Sequence, residues 1–243
     1  MGELGFEHWH VNGLSHGRVA IRSEMLVPGT ERVRIGLLAM LSDLVAGQPS
    51  SGPITPTTDL RVRVVRPAEM GVVHLVARTL KVGATLAVFE VRLTADDDDR
   101  PFALSLATFM NRSVDPSEFP EHVNHPLAQP LGQRIGARVL RPGLVQLDPS
   151  PDIANSLHGT VQGGVLAMLG ELASESAVEV DGPFVVSELD IRFLNRVKVG
   201  PVQAGAEVLS AGPGGCALGV SIRDTGNDDR SVAYVAAFGS PVR

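Results

Sequence analysis

Residues 36–44 read GLLAMLSDL and residues 164–172 read GVLAMLGEL. Six of the nine positions are identical, and Asp43 stands where the second copy has Glu171. The correspondence runs on beyond this segment. Thr58-Asp59-Leu60-Arg61-Val62-Arg63 aligns with Ser187-Glu188-Leu189-Asp190-Ile191-Arg192, and Arg66-Pro67 followed by Gly71 aligns with Arg196-Val197 followed by Gly200. The acidic turn from Asp96 to Arg100, ahead of PFALSLATF, aligns with Asn227 to Arg230, ahead of SVAYVAAF. The offset drifts only between 128 and 130 residues, a constancy that marks an internal repeat. The chain is therefore read as two copies of one unit, 1–112 and 130–243, joined by a proline-bearing linker over 113–129.

Each unit repeats one pattern of elements. A strand-like stretch comes first, Arg18 to Met25 in one copy and Arg134 to Leu147 in the other. A helix follows, from Ile35 to about Ala46 and from Gly163 to about Val178. Alternating runs then predict strands over 58–66, 71–80, 83–94 and 101–110, and over 185–196, 201–210, 215–224 and 231–239. Ile35, Leu37, Leu38, Met40, Leu41, Leu44 and Val45 make the first helix apolar almost all round, which predicts burial. The simplest packing is an α+β one, a central helix wrapped by an antiparallel sheet. Two such units are expected to share one sheet as a built-in dimer.

The composition removes several classes of function. Of the 243 residues, 44% are hydrophobic and 20% charged, enough for a substantial core. A net charge of −6 argues against an electrostatic nucleic-acid surface. The single Cys216 forms neither an internal disulfide nor a thiolate metal cage. The opening MGELGFEHWHVNG has no basic or apolar leader pattern, and no run of about 18 apolar residues appears, so a cytoplasmic protein without a membrane partner is expected.

Two features carry chemistry. Asp43 and Glu171 are carboxylates at equivalent places in apolar helices, where a charge is costly unless paired or used. A helix-face carboxylate reaching solvent or an ion pair is the plainer reading of either one alone. Asn155-Ser156-Leu157-His158-Gly159-Thr160-Val161-Gln162-Gly163-Gly164 opens the second helix with two glycines. Backbone N–H groups at such an opening suit a carbonyl oxygen that becomes negative. A tight turn needing glycine would give the same pattern.

This Asn-x-x-x-Gly-Thr-x-Gln-Gly-Gly stretch, with a carboxylate eight residues after the first of the paired glycines, resembles the PaaI-type acyl-CoA thioesterases of the hotdog fold. The Ser187 strand and the Phe193-Leu194…Gly200 stretch are also similar to that family. The family usually has His where Gln162 stands, and its spacing puts Ser156 rather than Asn155 at the expected position. In the first copy Arg34-Ile35-Gly36 replaces Gln162-Gly163-Gly164, so one glycine is missing. The resemblance implies acyl-CoA as substrate, needs no cofactor or metal, and is compatible with homo-oligomers of double-hotdog chains.

Helix geometry then constrains the site. Gly163 and Glu171 lie roughly 12 Å apart along one helix axis, at ~1.5 Å per residue. The acid must therefore come from the partner unit. One expected composite site joins the Gly163 amide and Asn155 or Ser156 to Asp43 and Thr58. The other joins Ile35 and Gly36 to Glu171 and Ser187. Only the first has the full glycine opening, so it is expected to be the active one. There Asp43 acts as general base or as nucleophile, with burial raising its pKa towards the former, and Thr58 positions water or the carboxylate.

Other signals are set aside. Gly13-Leu14-Ser15-His16-Gly17 matches a nucleophile elbow, but a strand-like run follows it instead of a helix. His8, His10 and His16 read as a terminal surface cluster, Asp96 to Asp99 as a solvated turn, and Cys216 as a small buried residue. His158 reads as structural. Arg61, Arg63, Arg66, Arg192, Arg196 and Lys198 are candidates for coenzyme A phosphates, although strand alternation places most of them on an ordinary wet face. Two competing functions remain: a non-catalytic acyl-CoA or acyl-ligand binding module, and a hydratase, which needs an Asp–His pair that the sequence does not clearly show.

Overall fold

A computed structural model of the chain describes residues 2–52, 54–67, 71–96, 98–112, 127–155, 159–179 and 182–242. The first half contributes β1 (Glu7–Val11), β2 (Leu14–Ala20), α1 (Ile35–Ala46), β3 (Thr57–Val64), β4 (Val72–Val82), β5 (Leu86–Ala95) and β6 (Asp98–Met110). The second contributes α2 (Leu131–Arg134), β7 (Arg138–Arg141), β8 (Leu144–Leu147), β9 (Ala154–Asn155), β10 (Thr160–Val161) and α3 (Gly163–Ala177). It ends with β11 (Phe184–Phe193), β12 (Val202–Gly212), β13 (Gly215–Asp224) and β14 (Arg230–Pro241). Most of the stretch read as a linker, 113–126, lies outside the described residues.

Twelve strands form one sheet in the order β1-β2-β4-β5-β6-β3-β11-β14-β13-β12-β8-β7. Read from the centre outwards, the two halves repeat each other. The seam is the antiparallel pair β3–β11, with Arg63 opposite Glu188, Arg61 opposite Asp190 and Asp59 opposite Arg192. Alternation sends Leu60, Val62, Leu189 and Ile191 inward, where all four are fully buried. The charged residues of the same strands face outward, and Arg61 and Arg63 both reach Glu188 there. The two units are thus one α+β body, a double hotdog, with α1 and α3 side by side on the inner face of a shared sheet.

The two helices are held closer than ordinary side chains allow. A Cβ on Gly36 would stand 2.6 Å from the Met168 Cα, and one on Gly164 would stand 2.6 Å from the Met40 Cβ. The contacts are mirror images across the repeat and make the pair antiparallel. Buried Leu37, Leu41, Met168 and Leu169 fill the remaining space between helices and sheet.

The N-terminal segments depart from the sequence reading. The stretch from Arg18 to Met25 ends as strand β2 at Ala20, and Ser23–Met25 is a short 3-10 turn. Ahead of it, β1 forms a hairpin with β2, and His8 and His10 belong to this edge strand. The turn is Asn12-Gly13, both at positive φ (51° and 78°), the pairing that tight hairpins favour. The Gly13–Gly17 motif therefore sits in a hairpin, and Ser15 donates its hydroxyl to the Gln48 carbonyl at 2.8 Å. The Arg134–Leu147 stretch is not one strand. It breaks into the end of α2 and the β7–β8 hairpin, because Gly143 takes a positive φ of 74°. No helix among the described residues is long and apolar enough to cross a membrane.

Replacing Gly164 or Gly36 by Ala tests the helix contact. Helix propensity alone favours Ala by up to ~1 kcal/mol, whereas overpacking of this kind costs about 1–3 kcal/mol. We expect both variants to melt several degrees below wild type. Gly36→Ala should fall further, because its new methyl also meets the buried Glu171 carboxylate at 2.8 Å, and unchanged or raised melting temperatures would refute the contact.

Candidate active site

Asp43 lies in the last turns of α1 and is partly buried. Its Oδ1 accepts a hydrogen bond from the Thr57 hydroxyl at 2.6 Å. Burial pushes the Asp43 carboxyl up to about 6, against the opposing pull of the Thr57 bond. Across from it, α3 begins at Gly163 with no side chain capping its first turn. The N–H groups of Val165 and Leu166 turn back to the Gln162 carbonyl at 3.0 and 3.2 Å. Those of Gly163 and Gly164 find no acceptor among the described residues, the usual state of a helix opening.

Asp43 and Gly163 line one cavity of about 390 Å³. The first unit supplies Asp43, Thr55, Pro56, Thr57, Thr58, Met110 and Arg112 to its wall. The second supplies Thr160, Val161, Gly163, Leu166 and the run from Phe193 to Val197. The cavity is therefore built between the units, apolar over much of its wall and polar at Asp43 and the threonines. Strand β11 ends at Phe193, short of the 196 read from sequence, and the following loop forms one lip. Buried Asp224 fixes this loop by accepting the N–H groups of Lys198, Val199 and Gly200 at 2.7, 3.1 and 2.7 Å. Nothing in strand periodicity pointed to that role.

The hydroxyl on Asp43 belongs to Thr57, which corrects the expectation of Thr58. Thr58 also lines the cavity, but its Oγ1 is bonded to Asp59 Oδ2 at 3.0 Å and to the Thr108 carbonyl at 3.1 Å. The reason is a bulge: the β3–β6 register shifts between Thr57 and Asp59. Strict alternation fails there, and two successive threonines face one cavity. The same irregularity recurs in β11 between Val186 and Glu188, one repeat later. Asn155 pairs through its backbone with Thr160; its side chain, Ser156 and His158 lie outside the described residues.

The second expected combination is arranged differently. Glu171 is fully buried, and its two oxygens accept the N–H groups of Ile35 at 3.1 Å and Gly36 at 2.9 Å. Buried Arg34 stands 3.5 Å from the same carboxylate and also reaches both oxygens of Glu175, at 3.0 and 3.2 Å. Burial pushes Glu171 and Glu175 up, and the Arg34 charge pulls both back. The two amides and Arg34 oppose the effect of burial at Glu171, whereas Glu175 is pushed up to about 8 by burial and by the neighbouring Glu171 charge. Ser187 does not reach Glu171; its hydroxyl points to the Phe238 carbonyl at 3.4 Å. The hollow here is about 40 Å³, lined by Arg32, Val33, Leu38, Val64, Pro67, Phe102, Val185, Val186 and Ser187. Most of these are the repeat mates of residues around the larger cavity.

Of the basic residues, Arg61 and Arg63 pair with Glu188, Arg66 with Asp98, and Arg192 with Asp59 and Asp190. Arg196 lines the main cavity, and Lys198 lines an adjoining recess that shares Thr160, Val161 and Val197 with it. No group of three or more His, Cys, Asp or Glu is placed to hold a metal among the described residues.

Comparison with known proteins accords with this architecture. No curated protein matches the chain in sequence. In structure it is similar to a hot dog fold protein from Alicyclobacillus acidocaldarius, at 13% identity and a TM-score of 0.70, covering 98% of this chain and 96% of the other. It is also similar to an acyl-CoA thioesterase II, TesB2, from Mycobacterium marinum, at 15% identity and a TM-score of 0.62, covering 98% and 96%. A 12:0-ACP thioesterase from Umbellularia californica aligns at 11% identity and a TM-score of 0.66, covering 96% and 100%. The family model described as the thioesterase superfamily matches twice, over residues 35–102 and 158–229, so each match takes in one helix and its following strands. With more than half of its length matched in these two segments, the chain belongs to the thioesterase superfamily.

Proposed function

We propose that the chain hydrolyses an acyl-CoA thioester at the composite site between Gly163 and Asp43. The observation that carries this reading is the cavity of about 390 Å³, which has an uncapped helix opening on one wall and a proton-hungry carboxylate on another. The similarity to an acyl-CoA thioesterase supports the choice of substrate class.

In this reading the thioester carbonyl oxygen rests on the Gly163 N–H. Water attacks the carbonyl carbon while Asp43 takes its proton. The charge that develops on the oxygen is held at the positive end of α3. The C–S bond then breaks, and the departing thiolate takes the proton from Asp43, leaving a carboxylic acid and free thiol. A pKa of about 6 makes Asp43 a better base than an ordinary aspartate and leaves it ionised at neutral pH. Thr57 orients the carboxylate through the bond to Oδ1.

A screen of acyl-CoA chain lengths with wild type and Asp43→Ala tests the assignment. Loss of a general base typically costs about 10²–10⁴ in rate. We expect a fall of that size in kcat, and full turnover by Asp43→Ala would refute the role. Tight acyl-CoA binding without hydrolysis by wild type would favour the binding module instead.

The pH profile is the second check. The kcat/KM of wild type should fall on the acid side with a midpoint near pH 6, as Asp43 gains its proton. Thr57→Val removes the bond that lowers this pKa, so the acid limb should move to higher pH. A limb that stays in place, or moves down, contradicts the pairing.

Stability supplies a third. A carboxyl raised from 3.8 to about 6 destabilises the fold progressively as pH climbs through that window, with no further change above it. Asp43→Asn should therefore melt above wild type at pH 7, with the gap closing at roughly pH 4, the ordinary Asp range. Equal melting temperatures at pH 7 would show that Asp43 is not held against its charge.

A further inference from the structure

We propose that Glu171 is a permanent internal occupant of the second composite site. It sits on the amides of Ile35 and Gly36, in the place that the first site keeps open in front of Gly163 and Gly164. What separates the two corners is chiefly the one methylene by which Glu171 exceeds Asp43, together with the hydroxyl of Thr57 at one and the Arg34 guanidinium at the other. For the first corner this rests on the thioesterase reading; for the second it rests on geometry alone.

The repeat makes the comparison exact in position: Asp43 matches Glu171, Thr57 matches Val186, and the Gly163-Gly164 opening matches Ile35-Gly36. The antiparallel contact of α1 with α3 brings each carboxylate towards the opening turn of the other helix. At one corner the longer side chain bridges to both amides, at 3.1 and 2.9 Å. No hydroxyl competes for it on the neighbouring strand, because Val186 stands there. Arg34, buried at the N-cap of α1, adds its charge at 3.5 Å and is itself held by Glu175. At the other corner the shorter side chain is drawn aside by Thr57 at 2.6 Å, and the amides stay free among the described residues. The hollows beside the two corners differ as well: about 390 Å³ at the first, and about 40 Å³ at the second, where most of the lining residues are the repeat mates of those around the first. A carboxylate on two amides at a helix opening presents the charge and shape of the oxyanion that a substrate would bring. Of the two composite sites, one is thus left open to a substrate, and its counterpart is closed by a ligand the chain carries itself.

Amide exchange followed residue by residue by NMR tests this without a substrate. First-turn helix amides ordinarily exchange fast, since no carbonyl of their own helix accepts them. In wild type, Ile35 and Gly36 should be slow and Gly163 and Gly164 fast. Asp43→Glu should dock the longer carboxylate on Gly163 and Gly164 and slow their exchange by about ten-fold or more, the mark of a closed hydrogen bond. Adding Thr57→Val should strengthen the effect. Glu171→Asp should speed exchange at Ile35 and Gly36 by a similar factor in a protein that still folds. If folded Asp43→Glu leaves Gly163 and Gly164 exchanging at wild-type rates, chain length does not govern closure and the proposal fails. These exchange results hold whether or not the wild type turns over acyl-CoA. Failure of the thioesterase reading shows in the substrate screen instead.

Discussion

The close approach of α1 and α3 is the constraint on which the rest of the structure depends. Gly36 lies against Met168 and Gly164 against Met40, each where a single methyl would stand within 2.6 Å of a neighbouring atom. Helices this close cannot slide or rotate freely past one another, because ridges of one are locked into gaps of the other. The antiparallel crossing then brings each opening turn towards the carboxylate on the other helix. Both corners, and the cavity at one of them, follow from that single contact. The β3–β11 seam completes the arrangement, since it makes the two halves of the sheet one surface beneath both helices.

Much of this is legible in the sequence. The repeat offset placed Asp43 and Glu171 at equivalent positions, and helix rise showed that neither could serve the opening of its own helix. The alignment of Thr58 with Ser187 also marked the equivalent bulges, although it could not say that they were bulges. That is why the hydroxyl on Asp43 was expected one residue too late: alternation assumes that every strand residue faces opposite its neighbour, and at a bulge it does not. The β1–β2 hairpin has its signal in Asn12-Gly13, the pair that tight hairpin turns favour. Asp224 and the Arg34–Glu171–Glu175 cluster had no local signal. Their partners are other chain segments, and only the fold brings them within hydrogen-bonding distance.

The two carboxylates show how neighbours decide the fate of equivalent residues. Both are lifted by burial, so both begin as costly charges. Glu171 meets two amide donors and a guanidinium, and its charge is compensated on every side. Those donors oppose the effect of burial and fix the side chain in place, which makes it a strut between helices. Asp43 has one hydroxyl donor and a cavity in front of it. It retains affinity for a proton close to the neutral range and room for a reactant to approach. A corner that is incompletely satisfied is locally less stable than its mate. In a structure whose other half shows how the same corner can be satisfied, that deficit is, on the proposed reading, the stability the chain gives up for chemistry.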